Sequence, residues 1–443
     1  MFILWSYKGW SAGLVFIFLT GAPGYAQLST EPCRFSREQA RCGQLSVPEN
    51  RKTPEGRQIS LRLMVLPKTG GAPPGEPLFV LNGGPGTSAV DLAESLIFSL
   101  ANVRRSRDIA LLDQRGAGGS NRLFCQVADR SFVVPRDPER CLARLNAKAD
   151  LRAYTTSDFI DDIESARLAL GYEQISLYGL SYGTWAAFAY ARRFPNRVRS
   201  LILIAPAPVS MNFFDSFEED GRRALEALVA DCRSDPACLK AFPTLGADAQ
   251  KVRRELTEPF YALGLQFLQY SSATSRFIPL LVSRAAAGDR EPLDQKINEF
   301  RKQFIEWLSI GLHLTVACNE DVPFGLKQGR PGASRALRTE YERACRGWPR
   351  VDLPVGFHKP SRINSPALII TGEWDPVTPP RLARMAAKQF SRSQVVVVPR
   401  SGHMLDGAEA CIGGLATEFL DHGSAGTSCI AEIRRPPYVL RLE

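Results

Sequence analysis

The chain has 443 residues, of which 44% are hydrophobic and 23% are charged. This balance is typical of a globular protein and argues against a disordered or fibrous one. The formal net charge is +9, from 55 basic and 46 acidic side chains that are scattered along the sequence. We therefore expect a solvated basic surface and no nucleic-acid partner.

The first residues have the layout of an export signal. A weakly basic start at Lys8 precedes the apolar run GLVFIFL, and Gly24 and Ala26 supply small residues at the two positions that a signal peptidase reads. The run is too short to span a bilayer comfortably. We predict a signal peptide at 1–26 and a secreted or periplasmic mature chain without stable membrane insertion. An uncleaved anchor is the alternative.

Ten cysteines follow the predicted signal, an even number that suits disulfide bonding outside the cytosol. Short loops are the least costly to close, so sequence neighbours are the first expectation for pairing. These pairs are Cys33–Cys42, Cys125–Cys141, Cys232–Cys238, Cys318–Cys345 and Cys411–Cys429. Buried free thiols are the alternative. No CxxC pair occurs, which argues against a zinc ribbon or a thioredoxin-like site, and we expect no metal or other cofactor.

Apolar runs along the chain predict an α/β fold. Alternation in QISLRLMVLP indicates a strand with one wet face, as in an antiparallel pair. The later runs are apolar on both faces, as in a parallel sheet covered by helices: LFVL, DIALLD, ISLYGLS, LILIAP, ALIITGEWD and VVVVPRSGH. Between two of them, SDFIDDIESARLALG has helical spacing and ends at Gly171. The predicted architecture is a mostly parallel sheet flanked by helices.

The strand–helix alternation is lost over about 150 residues in the second half of the chain. From about 207 to 360 the pattern indicates helices, including FEEDGRRALEALVADC and PLDQKINEFRKQFIEWLSIGLHLTV, and the stretch is too long for a loop. We predict a helical cap at 207–360, called the cap segment below. It interrupts a core whose first part is 27–206 and whose C-terminal part is 361–443.

Ser181 lies in GLSYG, between the predicted strand ISLY and the predicted helix TWAAFAYARRF. Gly-x-Ser-x-Gly in this context is the nucleophile elbow, in which glycines permit a tight turn. We therefore predict that Ser181 is a nucleophile. The alternative is a helix-capping serine flanked by glycines.

A serine hydroxyl needs a base, and histidine is the natural base near neutral pH. The chain has four histidines, and His403 directly follows the last apolar strand. His313 lies in a predicted helix of the cap segment, whereas His358 and His422 lie in polar connections. His403 is therefore the predicted general base.

The imidazole needs an acid that fixes its tautomer. His403 follows the last apolar strand, VVVV. Asp375, in TGEWDPVTPP, follows the apolar strand before that one, ALIIT. The chain order Ser181, Asp375, His403 is that of an α/β-hydrolase. Asp375 is the predicted acid, and Glu373 or Asp406 are the alternatives.

Backbone N–H groups stabilise the oxyanion of an acyl-transfer transition state. One donor is expected from Tyr182, directly after the predicted nucleophile, and the other from the loop NGGPG after the strand LFVL. We favour Gly84 for the second donor, with Gly83 next. A plain turn is the alternative for this loop.

A second glycine-rich loop, DQRGAGGS, lacks the lysine and the spacing of a phosphate-binding loop. We expect it to be structural, with Asp113 and Arg115 pairing locally.

Five motifs occur in order: NGGPG, LDQRGAGGS, GLSYG, GEWDPVTP and SGH. With them the chain resembles the prolyl aminopeptidase and tripeptidyl aminopeptidase group of α/β-hydrolases over nearly its whole mature length, including CNEDVPF in the cap segment and the C-terminal part. The resemblance implies the α/β-hydrolase fold, a serine exopeptidase that acts on peptide N-termini, and the roles given above to individual residues. Prolyl aminopeptidases usually have a histidine where this chain has Asn82, so the tripeptidyl branch is the better match.

An exopeptidase of this kind must hold a free ammonium group, and a carboxylate would do so through a charge-assisted hydrogen bond. Glu320 and Asp321, in ACNEDVPF, are the predicted substrate-binding acids. The other candidates are Glu218, Glu219 and Asp220, and a solvated acidic surface is the alternative for each of them.

Two other functions compete with an aminopeptidase. An esterase or amide hydrolase of small molecules would use the same triad, because substrate choice depends on the cap. A non-catalytic binding protein on a hydrolase scaffold is the third possibility, and the intact triad argues against it. The sequence makes no prediction of oligomeric state.

Overall fold

A computed structural model describes residues 27–35, 38–71, 75–324 and 333–441. The predicted signal peptide at 1–26 lies outside the described residues. No helix in this described part of the chain combines the length and the apolar character needed to cross a membrane.

A nine-stranded sheet forms the centre of the molecule, in the order β1-β2-β3-β5-β4-β6-β7-β8-β9. The strands are β1 (Gln27–Phe35), β2 (Glu38–Pro48), β3 (Gln58–Leu66), β4 (Leu78–Leu81), β5 (Ile109–Leu112), β6 (Ile175–Leu180), β7 (Val198–Ile204), β8 (Ala367–Gly372) and β9 (Ser393–Val398). The β1–β2, β2–β3 and β3–β5 pairs are antiparallel, and all the others are parallel. The predicted mostly parallel sheet is confirmed.

Burial follows the predicted strand types. β4, β5 and β8 are buried at every position, as expected for strands covered on both faces. β3 starts with alternating exposed and buried side chains, which is the pattern of an antiparallel strand with one wet face.

Helices flank the sheet and fill the cap segment. The helices outside the cap segment are α1 (Ala93–Ser99), α2 (Pro138–Lys148), α3 (Thr156–Ala169), α4 (Tyr182–Arg193), α14 (Pro380–Ala387) and α15 (Glu409–His422). Those between β7 and β8 are α5 (Phe213–Ser234), α6 (Pro236–Ala241), α7 (Leu245–Glu255), α8 (Pro259–Leu268), α9 (Ser272–Ser275), α10 (Ile278–Ala286), α11 (Glu291–Trp307), α12 (Ile310–Val316) and α13 (Ala333–Ala344). A π-helical turn, Ala317–Asp321, continues α12. Short 3₁₀ helices lie at Val90–Leu92, Val103–Arg105, Leu151–Ala153, Pro195–Arg197 and Ser428–Glu432. The domain boundaries at 207 and 360 stay predictions.

Five disulfides join the cysteines pairwise as sequence neighbours, as predicted. Among the described residues no cysteine is free. One bond, Cys318–Cys345, ties the π-helical turn after α12 to the residue that follows α13.

The prediction of local pairing is wrong for Arg115, whereas Asp113 accepts the N–H of Gly119 in the same loop at 3.0 Å. The fully buried Arg115 instead donates to both carboxylate oxygens of Asp162 in α3, at 2.5 and 2.6 Å. Asp113 accepts hydrogen bonds from Ser88 Oγ at 2.6 Å and from the Val90 N–H at 2.9 Å. The DQRGAGGS loop is nevertheless structural, because each of these two charges is satisfied inside the core.

Candidate active site

Ser181 lies between β6 and α4, at the carboxyl edge of the parallel strands. Its φ of 51° and ψ of −120° place it in a backbone region that residues other than glycine rarely adopt. A Cβ on Gly183 would collide with the carbonyl oxygen of Leu81, and one on Gly179 would lie 2.8 Å from the Gly183 oxygen. The glycines of GLSYG are therefore required by the close approach of strand, turn and helix, the geometry of a nucleophile elbow.

The NGGPG loop runs beside this turn. A Cβ on Gly83 would lie 3.1 Å from the Cβ of Ser181. Asn82 braces the loop, since its Nδ2 donates to the Ser88 carbonyl at 2.7 Å and its Oδ1 accepts the Gly83 N–H at 2.7 Å. The Gly84 N–H has no hydrogen-bond partner among the described residues, and Gly84 has a φ of 107°. Of Gly83 and Gly84, only Gly84 thus has a backbone N–H that is free, among the described residues, to bind an oxyanion.

Asp375 and His403 are brought together by the loops that follow β8 and β9. His403 Nδ1 lies 2.8 Å from Asp375 Oδ2, and both side chains are buried. Asp375 also accepts hydrogen bonds from the Val377 and Thr378 N–H groups at 2.8 Å and from Thr378 Oγ1 at 2.7 Å. Burial opposes ionisation of Asp375, but His403 and these donors outweigh it and lower the pKa of Asp375 below its ordinary value.

The two alternative acids are occupied elsewhere. Glu373 Oε2 accepts the Arg400 N–H at 2.9 Å, and Asp406 Oδ1 accepts the Ser272 N–H at 2.9 Å. Neither forms a hydrogen bond with His403 within the described ranges. Asp375 is therefore the acid that contacts the histidine.

Ser181 and His403 stand on the same edge of the sheet, after β6 and β9. In the part of the chain that the structure describes, no hydrogen bond joins Ser181 Oγ to the imidazole. Such bonds are often long without substrate and shorten in the reacting complex.

The cap segment packs directly on the histidine loop. The ring of Tyr270 lies with its centroid 4.8 Å from that of His403, and the Tyr270 carbonyl accepts the Met404 N–H at 2.8 Å. A Cβ on Gly402 would lie 2.6 Å from this carbonyl oxygen. Sequence reasoning missed Tyr270, because no local pattern links residues so far apart.

Glu320 and Asp321 lie in different surroundings, although they are adjacent in the π-helical turn. Glu320 is 2% exposed and accepts the Thr156 N–H at 2.7 Å and the Thr156 hydroxyl at 2.6 Å. Asp321 is half-buried, and no hydrogen bond from a described residue reaches its carboxylate. Burial raises the pKa of Glu320 to about 8 and that of Asp321 to about 7. Burial also raises the pKa of Tyr182, and the charges of Glu320 and Asp321 raise it further.

Two of the other candidate acids are already paired. Glu219 contacts Arg222 at 2.6 Å and Arg223 at 3.0 Å, while Asp220 contacts Arg381 at 2.5 Å. Their charges are therefore balanced within the protein.

His313 joins α12 to the glycine loop. Its Nδ1 lies 3.3 Å from the Pro85 carbonyl and its Nε2 lies 2.7 Å from Tyr341 Oη. Burial lowers the pKa of His313 to about 4. The neutral ring can donate from Nδ1 and accept at Nε2, so both contacts are satisfied without a charge.

The neutral His313 predicts acid sensitivity. Between its unfolded pKa of about 6.5 and its folded pKa of about 4, the unfolded chain binds the proton and the folded chain does not. Stability is therefore lost as the pH falls through this window, by roughly 2 to 3 kcal/mol at pH 4.5. Urea unfolding at pH 7.5 and 4.5 should show a smaller acid loss for His313→Gln than for the wild type. Equal losses in the two proteins would refute this assignment.

No cluster of three or more side chains suited to a metal ion occurs within the described residues.

Comparison with known proteins gives both a family and relatives. A family model described as alpha/beta hydrolase fold matches residues 76–405. Serine protease Hip1 of Mycobacterium tuberculosis is 29% identical over 265 residues, which are 52% of this chain and 49% of that protein. Tripeptidyl aminopeptidase of Streptomyces coelicolor is 28% identical over 186 residues (37% and 34%), and proline iminopeptidase of Xylella fastidiosa is 32% identical over 138 residues (30% and 33%). The matched part thus spans about half the length of Hip1 and about a third of the other two.

Proposed function

Since the chain belongs to the α/β-hydrolase fold family, we propose that it is an exported serine aminopeptidase that cleaves peptide bonds near free N-termini. The observation that carries the proposal is the buried 2.8 Å contact between His403 Nδ1 and Asp375 Oδ2, on the sheet edge that also holds the strained Ser181 turn. The relatives named tripeptidyl aminopeptidase and proline iminopeptidase support the peptidase class.

In the proposed mechanism Ser181 Oγ attacks the carbonyl carbon of the scissile bond while His403 Nε2 takes the hydroxyl proton. The C–N bond then breaks, and the same proton passes to the leaving amine. A water molecule then attacks the acyl carbonyl carbon while His403 Nε2 takes its proton, the bond from the acyl carbon to Ser181 Oγ breaks, and the proton passes from His403 to Ser181 Oγ. Asp375 keeps the proton of the neutral imidazole on Nδ1, so that Nε2 is free to act as the base.

The N–H groups of Tyr182 and Gly84 are proposed to bind the oxyanion. Tyr182 directly follows the nucleophile and begins α4, where the helix dipole also favours a negative charge. Gly84 is preferred over Gly83 because the Gly83 N–H is already bonded to Asn82 Oδ1.

Asp321 is proposed as the main ligand of the substrate ammonium group. Its half-buried carboxylate has no hydrogen bond from the described residues, whereas that of Glu320 is bonded to Thr156. A partly desolvated carboxylate forms a stronger charge-assisted bond with an ammonium group than a solvated one does.

Asp321→Asn is expected to raise KM for peptides with a free N-terminus by about 10- to 100-fold, because a hydrogen bond to a charged group contributes about 1.5–3 kcal/mol. The assay is run at pH 7.5, above the pKa of about 7 that burial gives Asp321. Glu219→Gln, which removes a paired surface acid, serves as the matched control and should leave KM within about twofold. An unchanged KM in Asp321→Asn would show that another group binds the ammonium.

The function is tested with a matched panel of coumarin amides. The panel contains mono-, di- and tripeptidyl amides, each with a free and an acetylated N-terminus, and a simple ester. Among the peptidyl amides, an aminopeptidase cleaves only the free forms, and the preferred length shows the unit that is released. Indifference to acetylation, or cleavage of the ester alone, would instead make the chain a small-molecule esterase or amide hydrolase. No turnover of any substrate would favour a non-catalytic binding protein.

The proposed site of action is outside the cytosol, in the periplasm or the medium. Five disulfides support this location, because reducing conditions in the cytosol disfavour them.

A further inference from the structure

We propose that Glu320 is a positioning residue of the oxyanion hole. Glu320 acts through Thr156, and together they hold the turn that carries the Tyr182 N–H. The inference rests on the proposed function and deepens it. It gives the two adjacent acids of the π-helical turn separate tasks, since Asp321 binds substrate and Glu320 supports the catalytic turn.

A continuous chain of buried hydrogen bonds connects Glu320 to the first residue of α4. Gln114 Nε2 donates to Tyr182 Oη at 3.2 Å, and Tyr182 Oη lies 2.5 Å from Thr156 Oγ1. Thr156 Oγ1 donates to Glu320 Oε2 at 2.6 Å, and the Thr156 N–H donates to Glu320 Oε1 at 2.7 Å. All four residues are buried. The Tyr182 hydroxyl is thus held between Gln114 and Thr156, and we infer that this contact helps to set the position of the Tyr182 backbone N–H.

The direction of this chain follows from the chemistry of its members. Above the pKa of about 8 that burial gives Glu320, its ionised carboxylate only accepts hydrogen bonds, so the Thr156 hydroxyl donates to it. The Thr156 oxygen then accepts the Tyr182 hydroxyl proton, and the Tyr182 oxygen accepts from Gln114. With this donor-to-acceptor direction every polar hydrogen of the chain has an acceptor. The ionised Glu320 sets the direction, because its carboxylate can only accept.

Glutamine at position 320 would break the order without changing the size of the side chain. Its amide nitrogen would donate to Thr156, whose hydroxyl would then turn toward Tyr182. The Tyr182 hydroxyl, which already accepts from Gln114, would be left as a buried donor without a partner. Because buried unsatisfied donors are costly, we expect Tyr182 to shift away from its present position.

Two features of the surrounding structure hold Glu320 in its position. It reaches the core from the cap segment, where the disulfide of Cys318 with Cys345 fixes the π-helical turn. It also accepts the N–H of Thr156, the first residue of α3, where the helix dipole favours a negative charge.

The test uses an N-blocked ester, which has no ammonium group for an acid to bind. Glu320→Gln should lower kcat for this ester by about 10- to 100-fold with little change in KM, somewhat less than the loss of a whole oxyanion donor. The rate of Ser181 labelling by a fluorophosphonate should fall in parallel. Assays are run at pH 8.5, because burial raises the pKa of Glu320 to about 8.

Four further variants separate positioning from general stability. Thr156→Val and Tyr182→Phe interrupt the same chain and should reproduce the kcat loss, whereas Thr156→Ser keeps the hydroxyl and should restore most of the wild-type rate. Glu49→Gln is the matched control: Glu49 is also buried and accepts from Tyr154 Oη at 2.8 Å and from the Asp150 N–H at 3.1 Å, but the described structure has no bond from it to α4. It should lower the melting temperature without lowering kcat.

Three results bear on the two proposals separately. A wild-type kcat for the ester in both Glu320→Gln and Thr156→Val overturns the positioning role. So does a Glu320→Gln defect that is confined to KM for free-amine peptides, which would make Glu320 a substrate ligand. If the wild-type chain neither hydrolyses the ester nor reacts with the fluorophosphonate, the proposed function itself is contradicted and the role of Glu320 is lost with it.

Discussion

Replacing Ser181 with alanine is expected to lower kcat by at least about 10,000-fold for every substrate that the wild-type chain cleaves. The proposed mechanism has no other group that could form the acyl-enzyme. The fold should survive, because the backbone of this turn is held by main-chain bonds, such as that from the Ser181 N–H to the Ile204 carbonyl at 2.9 Å. Turnover of the coumarin amides and labelling by a fluorophosphonate are the measurements.

Ser309→Ala is the matched control for this experiment. Ser309 is a fully buried serine next to the same glycine loop, where its N–H donates to the Gly86 carbonyl at 2.9 Å. Its hydroxyl has no hydrogen-bond partner among the described residues, so its loss should change kcat by only a few-fold. Retention of more than about 1% of the wild-type rate in Ser181→Ala would remove Ser181 from the role of nucleophile.

Asp375→Asn is expected to reduce kcat by about 10,000-fold, with a much smaller change in KM. Asp375 accepts four hydrogen bonds, including the one from His403 Nδ1. An amide nitrogen in place of Oδ2 would face donors and favour the tautomer with the proton on Nε2, which cannot accept the proton of Ser181.

The alternative acids provide the controls for this prediction. Glu373→Gln and Asp406→Asn remove carboxylates that are bonded to the Arg400 and Ser272 N–H groups. Each should change kcat by less than about tenfold, because neither is hydrogen-bonded to the imidazole among the described residues. A larger loss in either of them than in Asp375→Asn would mean that the histidine takes a different acid during the reaction.

The parts of the site that depend on local chain geometry could be predicted from the sequence. Ser181 was recognisable because strand, glycines and helix stand next to one another in GLSYG. Asp375 and His403 were recognisable because each follows a buried strand, and the carboxyl ends of parallel strands meet at one edge of the sheet. Disulfide pairing was also local, with bonds between sequence neighbours.

Contacts between distant elements could not be predicted in this way. The partner of Arg115 is Asp162, 47 residues away in α3, although Asp113 is much closer in sequence. The bonds of Thr156 to Glu320 span 164 residues and depend on how the cap segment packs on the core. The adjacent residues Glu320 and Asp321 differ in burial, and they lie in a π-helical turn that no periodicity of the side chains revealed.

The central claim is that Ser181 attacks peptides that are held by a free N-terminus. The most direct measurement is the rate constant for inactivation by one tripeptidyl diphenyl phosphonate in two forms, with a free and with an acetylated amine, and with the modified residue mapped by mass spectrometry. The proposal predicts modification of Ser181 and a rate at least about tenfold higher for the free amine, the size of one charge-assisted hydrogen bond. Equal rates for the two forms, or modification of another residue, would contradict it.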